Sequence, residues 1–149
     1  LNVPINLTAI IPLTENMPSG SASRPGDIVT AMNGKTIEII NTDAEGRLIL
    51  CDAISYAVSH EKASQIVDIA TLTGASSVAL GDLAGAVLGN DQSLIDSLIT
   101  AGNASDEWVW QLPLYDGYFE YLKSDVADMM NASELGKAGT CTGAKFLEQ

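Results

Sequence analysis

Two neighbouring stretches constrain this fold more than any other feature of the chain. One is a helical run from Arg47 to His60, and the other is the short apolar run "QIVDIATL" that follows it. In the first, Asp52, Ser55 and Ser59 share one stripe while the rest is apolar, a pattern that predicts a mostly buried helix. The second is short and β-branched, and it reads as an interior parallel strand rather than as more helix. Strands that alternate with helices lead to a layered α/β fold. The expected architecture is a three-layer sandwich with a mixed, substantially parallel sheet.

The rest of the chain fits that alternation. "INLTAIIPL" is rich in strand formers and runs into a Pro-, Gly- and Ser-rich loop, "TENMPSGSASRPGD". In "DIVTAMNGKTIEII", Asn33-Gly34 separates two strand-forming segments, which is a strong hairpin signal. "TGASSVALGDLAGAVLGND" reads as a loop or short helix followed by a strand near "GAVLG". Leu94/Ile95 and Leu98/Ile99 repeat at helical spacing, with Gly102 as the expected stop. Tyr115, Tyr118, Phe119 and Leu122 share another helical face, an aromatic stripe suited to core or interface packing.

At 149 residues, 46% hydrophobic and 17% charged, the chain has the size and material of one folded domain. Seven basic residues against 19 acidic ones give a net charge of −12, which repels a phosphate backbone and an anionic membrane surface. Nucleic-acid binding through this segment is therefore not expected. No apolar run is long enough to span a bilayer, and no basic region precedes a hydrophobic one at the start. Cys51 and Cys141 are far apart and lack C-x-x-C spacing, so they read as buried free thiols of a reducing compartment. The chain opens within a strand-like run and ends in a helix-like one, and on that basis it reads as a piece of a longer protein.

Chemistry is concentrated in "NTDAEGR", residues 41 to 47. One reading is structural. Thr42 and Glu45 have capping-box spacing, and Asp43 would then face the positive end of a helix dipole. Gly46 and Arg47 argue otherwise, because glycine is costly in a first helical turn and a cation there opposes the dipole unless an anion is bound nearby. The other reading is that Asp43 and Glu45 converge on hard or borderline divalent cations at the carboxyl edge of a parallel sheet. Other chemistries lack parts. The single histidine, His60, has no triad or zinc-motif partners at suitable spacing and reads as a helix-end cation, and no phosphate-binding glycine loop is present.

"NTDAEGRLIL" matches the signature octapeptide of the leucyl aminopeptidase (cytosol aminopeptidase) family. "ENMPSGSASRPGDI", "MNGKTIEI", "ATLTGA", "WQLPL", "SDVADMMN" and "AGTCTGAKFL" resemble that family's catalytic domain in the same order, from end to end of the chain. The resemblance implies a metal-dependent exopeptidase with two divalent cations, zinc or manganese, in a cytoplasmic homohexamer that acts on peptides. It implies Asp43 as ligand of one metal, Glu45 as ligand of both, and Arg47 as holder of a bicarbonate that serves as general base, with Gly46 letting the backbone approach. It implies substrate-binding roles for Asn41, Thr71, Leu72 and Gly74, although a strand-ending turn is the plain alternative for "TLTG". The family's two lysines and further aspartates precede "ENMPSG" and are absent here, as are the upstream part of the domain and an N-terminal domain. Residues 1–149 alone are thus expected to be inactive. The competing class is a non-catalytic structural or regulatory homologue of the same fold.

Overall fold

A computed structural model describes residues 4–133 and 135–149. The expected hairpin forms from strands β1 (Ile28–Thr30) and β2 (Thr36–Glu38), which run antiparallel with Val29 opposite Ile37. Its turn is wider than two residues: Gly34 N–H donates to Ala31 O at 2.8 Å, and Gly34 takes a φ of +89°, a left-handed conformation that suits glycine. The chain then makes a 3₁₀ turn at Thr42–Ala44 and enters helix α1 (Gly46–Ser59). Helix α2 (Gly74–Leu80) and strand β3 (Gly85–Val87) match the expected short helix and strand. Helix α3 (Gln92–Ser105), strand β4 (Val109–Gln111), a 3₁₀ segment at Asp116–Leu122, strand β5 (Met129–Met130) and helix α4 (Gly139–Leu147) complete the order.

The result is a mixed α/β fold with two small sheets. In one, β2 pairs antiparallel with β1 and parallel with β5, so Ile37 faces Met129 and Glu38 faces Met130. In the other, β3 and β4 run parallel with α3 as their crossover. The core joins Ala31, Ile37, Cys51, Leu122, Met129 and Phe146. Leu122 is fully buried and Phe119 packs against this core, whereas Tyr115 is exposed and stacks on Tyr118, so the aromatic stripe is part core and part surface.

Three expectations are corrected. Neither "INLTAIIPL" nor "QIVDIATL" forms a strand: Leu13 is 88% exposed and Ile69 is 93% exposed. A strand exists only when a neighbour accepts its backbone bonds, and among the described residues none lies alongside either run. Helix α1 is half-buried rather than mostly buried, with Cys51 and Ala57 inside and Tyr56 and Val58 exposed. Helix α3 runs three residues past Gly102 and ends at Asp106, whose φ of +57° forms a left-handed cap. Gly102 serves instead the close return of the chain, since a Cβ there would lie 2.5 Å from Glu107 O.

Candidate functional site

The 41–47 turn links the end of the first sheet to the start of α1, and local bonds shape it. The Asn41 side chain accepts from Asp43 N–H at 2.9 Å, an Asx turn that opens the 3₁₀ segment. The capping box is absent, because Glu45, the residue at the N-cap of α1, makes no capping bond. Both carboxylates are exposed, and among the described residues Glu45 Oε1 accepts only a 3.4 Å bond from Asn16 Nδ2. Gly46 has neither a positive φ nor any protein atom within 4 Å of a Cβ built on it. The described residues therefore supply no close approach that would require glycine at this position.

Arg47 points the other way. It is 7% exposed, donates from Nη1 to Asn131 O at 2.9 Å, and sets its guanidinium 5.8 Å from the Phe146 ring centroid. Burial lowers its pKa from the ordinary arginine value, yet an arginine keeps its charge in a protein. No carboxylate pairs with it among the described residues. A buried, unpaired cation is costly, and a bound anion removes that cost.

A cavity of about 490 Å³ opens between this turn and the segment before α2, and Asp43, Glu45, Arg47, Thr71 and Leu72 line it. Five of the seven residues assigned metal, catalytic or substrate roles from sequence thus line one cavity, Asp43, Glu45 and Arg47 on one side and Thr71 and Leu72 on the other. The other two lie outside it: Asn41 caps the turn, and Gly74 begins α2. Among the described residues, no group of three or more His, Cys, Asp or Glu side chains converges. His60 lies at the far end of α1, stacked on Tyr56 with ring centroids 4.6 Å apart. Both cysteines are free and buried. Among the described residues, no helix is long and apolar enough to cross a membrane.

Sequence reasoning assigned no role to Asn131 or to Gly143. Asn131 is fully buried behind the turn, where its side chain bonds to the backbone of residues 40, 41 and 44. A Cβ at Gly143 would lie 3.1 Å from Leu72, 3.2 Å from Thr73 and 3.4 Å from Arg47 Nη2, so the bare face of α4 lets both walls of the cavity pack closely. The only signal for either was membership of "SDVADMMN" and "AGTCTGAKFL".

Residues 1–149 match the profile of the cytosol aminopeptidase family, catalytic domain. A probable cytosol aminopeptidase of Pseudomonas fluorescens is 56% identical over 149 residues, covering 100% of this chain and 30% of that protein. The corresponding protein of Hydrogenovibrio crunogenus is 55% identical over 147 residues, covering 99% of this chain and 30% of that protein. Among solved structures, a mutant tomato leucine aminopeptidase superposes with a TM-score of 0.86 at 50% identity, covering 91% of this chain and 26% of the other. Leucine aminopeptidase of Caenorhabditis elegans gives 0.83 at 44%, covering 87% and 27%. The chain spans about 30% of the length of these curated relatives.

Proposed function

The chain belongs to the cytosol aminopeptidase family, and from that premise we propose that it forms the metal-facing part of an exopeptidase that removes N-terminal residues from peptides. In this reading residues 1–149 are an incomplete C-terminal catalytic domain. Its two small sheets become parts of one three-layer sandwich when the exposed runs at 5–13 and 65–72 gain strand partners from the rest of the protein. The complete protein is read as a cytoplasmic homohexamer, and this acidic segment binds neither nucleic acid nor membrane.

The observation that carries the reading is the division of charge along one turn. Asp43 and Glu45 stand exposed on the cavity with no capping bond from Glu45, while Arg47 is buried beside them without a carboxylate partner among the described residues. Exposed carboxylates two residues apart fit hard or borderline divalent cations. Asp43 would hold one ion and Glu45 both. Because each cation takes four or more donors, further ligands must come from outside the chain, and residues 1–149 alone do not turn over substrate. Zinc or manganese, when bound, lowers the pKa of water and stabilises negative charge on a carbonyl oxygen.

The chain's own residues orient the reactants. Arg47 has one donor committed to Asn131 O and, with others at the cavity, would hold a bicarbonate anion. Thr71 and Leu72 line the same cavity and position the peptide, and Asn41 and Gly74, near the ends of the two segments that form it, complete the substrate contacts. Substitution in the complete protein tests these roles. Asp43→Ala and Glu45→Ala are each expected to abolish hydrolysis of a leucine anilide and reduce bound metal while the protein stays folded. Arg47→Ala is expected to slow hydrolysis with both metals retained. Full turnover by a folded Glu45→Ala variant with ordinary metal content would refute the assignment.

A further inference from the structure

Little packing among the described residues holds the 41–45 turn: Ala44 is half-buried and the other four residues are exposed. Its Asx bond fixes its shape and does not attach it to the fold. Attachment comes from a residue about ninety positions away in sequence. Asn131 follows β5 and continues the parallel ladder, its N–H donating to Glu38 O at 2.9 Å. From there its side chain reaches under the turn. Oδ1 accepts from Ile40 N–H at 3.0 Å and Asn41 N–H at 3.3 Å, and Nδ2 donates to Asn41 O at 2.7 Å and Ala44 O at 3.3 Å. A side-chain amide can accept two and donate two hydrogen bonds, and here all four are used on the backbone of residues 40–44, three of them within the turn. The backbone oxygen of the same residue accepts from Arg47 Nη1 at 2.9 Å.

We propose that Asn131 is the positioning residue of the site: its saturated amide pre-forms the 41–45 turn, and its carbonyl sets the Arg47 guanidinium, so carboxylates and cation are in register before any metal or anion arrives. The inference rests on the function proposed above for Asp43, Glu45 and Arg47, and it adds what holds them. Few other side chains can do this. Aspartate keeps the acceptor and loses both donors at neutral pH, leucine loses all four bonds, and glutamine is one methylene too long for a fully buried site.

Two measurements on the complete protein test it. The first uses the unaltered protein stripped of metal and follows hydrogen exchange at the Ile40 and Asn41 amides. Both are expected to stay protected, because Asn131 holds them and the metal does not. Exchange as fast as in an open loop, with protection returning only when zinc is added, would overturn the proposal. The second compares Asn131→Asp and Asn131→Leu with the parent. Folded Asn131→Asp is expected to lose zinc affinity and kcat by roughly the 10- to 100-fold that follows removal of a ligand's hydrogen-bond partner, with KM little changed. If folded molecules of either variant keep parental zinc affinity and kcat, Asn131 is merely structural and the proposal falls. If neither variant folds, the exchange result decides alone. The two readings fail separately: full activity in Asp43→Ala would remove the metal assignment and leave amide protection at 40 and 41 as it was.

Discussion

Alanine placed at Gly46 and at Gly102 should move stability in opposite directions, although both glycines sit in helices. Exchanging helical glycine for alanine ordinarily stabilises by about 0.4–1 kcal/mol, because the unfolded chain loses freedom. At Gly46 nothing among the described residues opposes this gain, since a Cβ there meets none of their atoms within 4 Å. At Gly102 the added carbon lies 2.5 Å from Glu107 O, closer than real Cβ atoms come, and the obstacle is backbone. Overpacking of that kind costs about 1–3 kcal/mol. Moving the loop also strains the 3.0 Å bond from Glu107 N–H to Gly102 O, worth about 0.5–1.5 kcal/mol. Set against the propensity gain, the balance at Gly102 is a loss of about 0.5–4 kcal/mol. Thermal unfolding of the complete protein, parent beside both variants, checks the signs: the midpoint rises for Gly46→Ala and falls for Gly102→Ala. A Gly102→Ala variant more stable than its parent would refute the close-return argument. Gly46 also lines the proposed metal cavity, so its alanine variant should gain stability and lose hydrolysis together.

Burial, with Asp52 beside it, pushes the Cys51 thiol up to about 11. Iodoacetamide at pH 8 should therefore spare Cys51 in the native protein and label it after denaturation, and rapid native labelling would show that α1 opens. Asp128 accepts from Thr36 N–H and Thr36 Oγ1, both at 2.8 Å, and these bonds hold its pKa below the ordinary 3.8. Since the folded value is the lower one, the carboxylate's contribution is complete above the unfolded pKa and is lost as pH falls through the folded value. Asp128→Asn should flatten that acid limb, measured as the unfolding midpoint between pH 5 and 2. Calorimetric titration of residues 1–149 with zinc should show fewer than two tight sites per chain. Two sites of micromolar affinity would place all the ligands within it.

Features written in neighbouring residues were legible from the sequence alone. The Asn33-Gly34 hairpin, the helical spacing of Leu94, Ile95, Leu98 and Ile99, and the helix beginning beside Arg47 all depend on residues a few positions apart, and the structure contains each of them. The grouping of Asp43, Glu45 and Arg47 was legible for the same reason, since one turn carries all three. Other features depend on segments far apart in the chain, and no local pattern encodes those. "QIVDIATL" has the composition of a buried strand and leaves Ile69 exposed, because a strand's backbone bonds belong to a partner that its own residues cannot supply. Gly102 looked like a stop and is a contact, which only the return of Glu107 reveals. Whether Thr42 and Glu45 would cap a helix was undecidable from spacing. Tertiary structure decided it: Asn41 accepts from Asp43 N–H and opens a 3₁₀ segment in place of the box, and Asn131 holds that turn from across the fold through the N–H groups of Ile40 and Asn41 and the carbonyls of Asn41 and Ala44, partners that no spacing along the chain reveals.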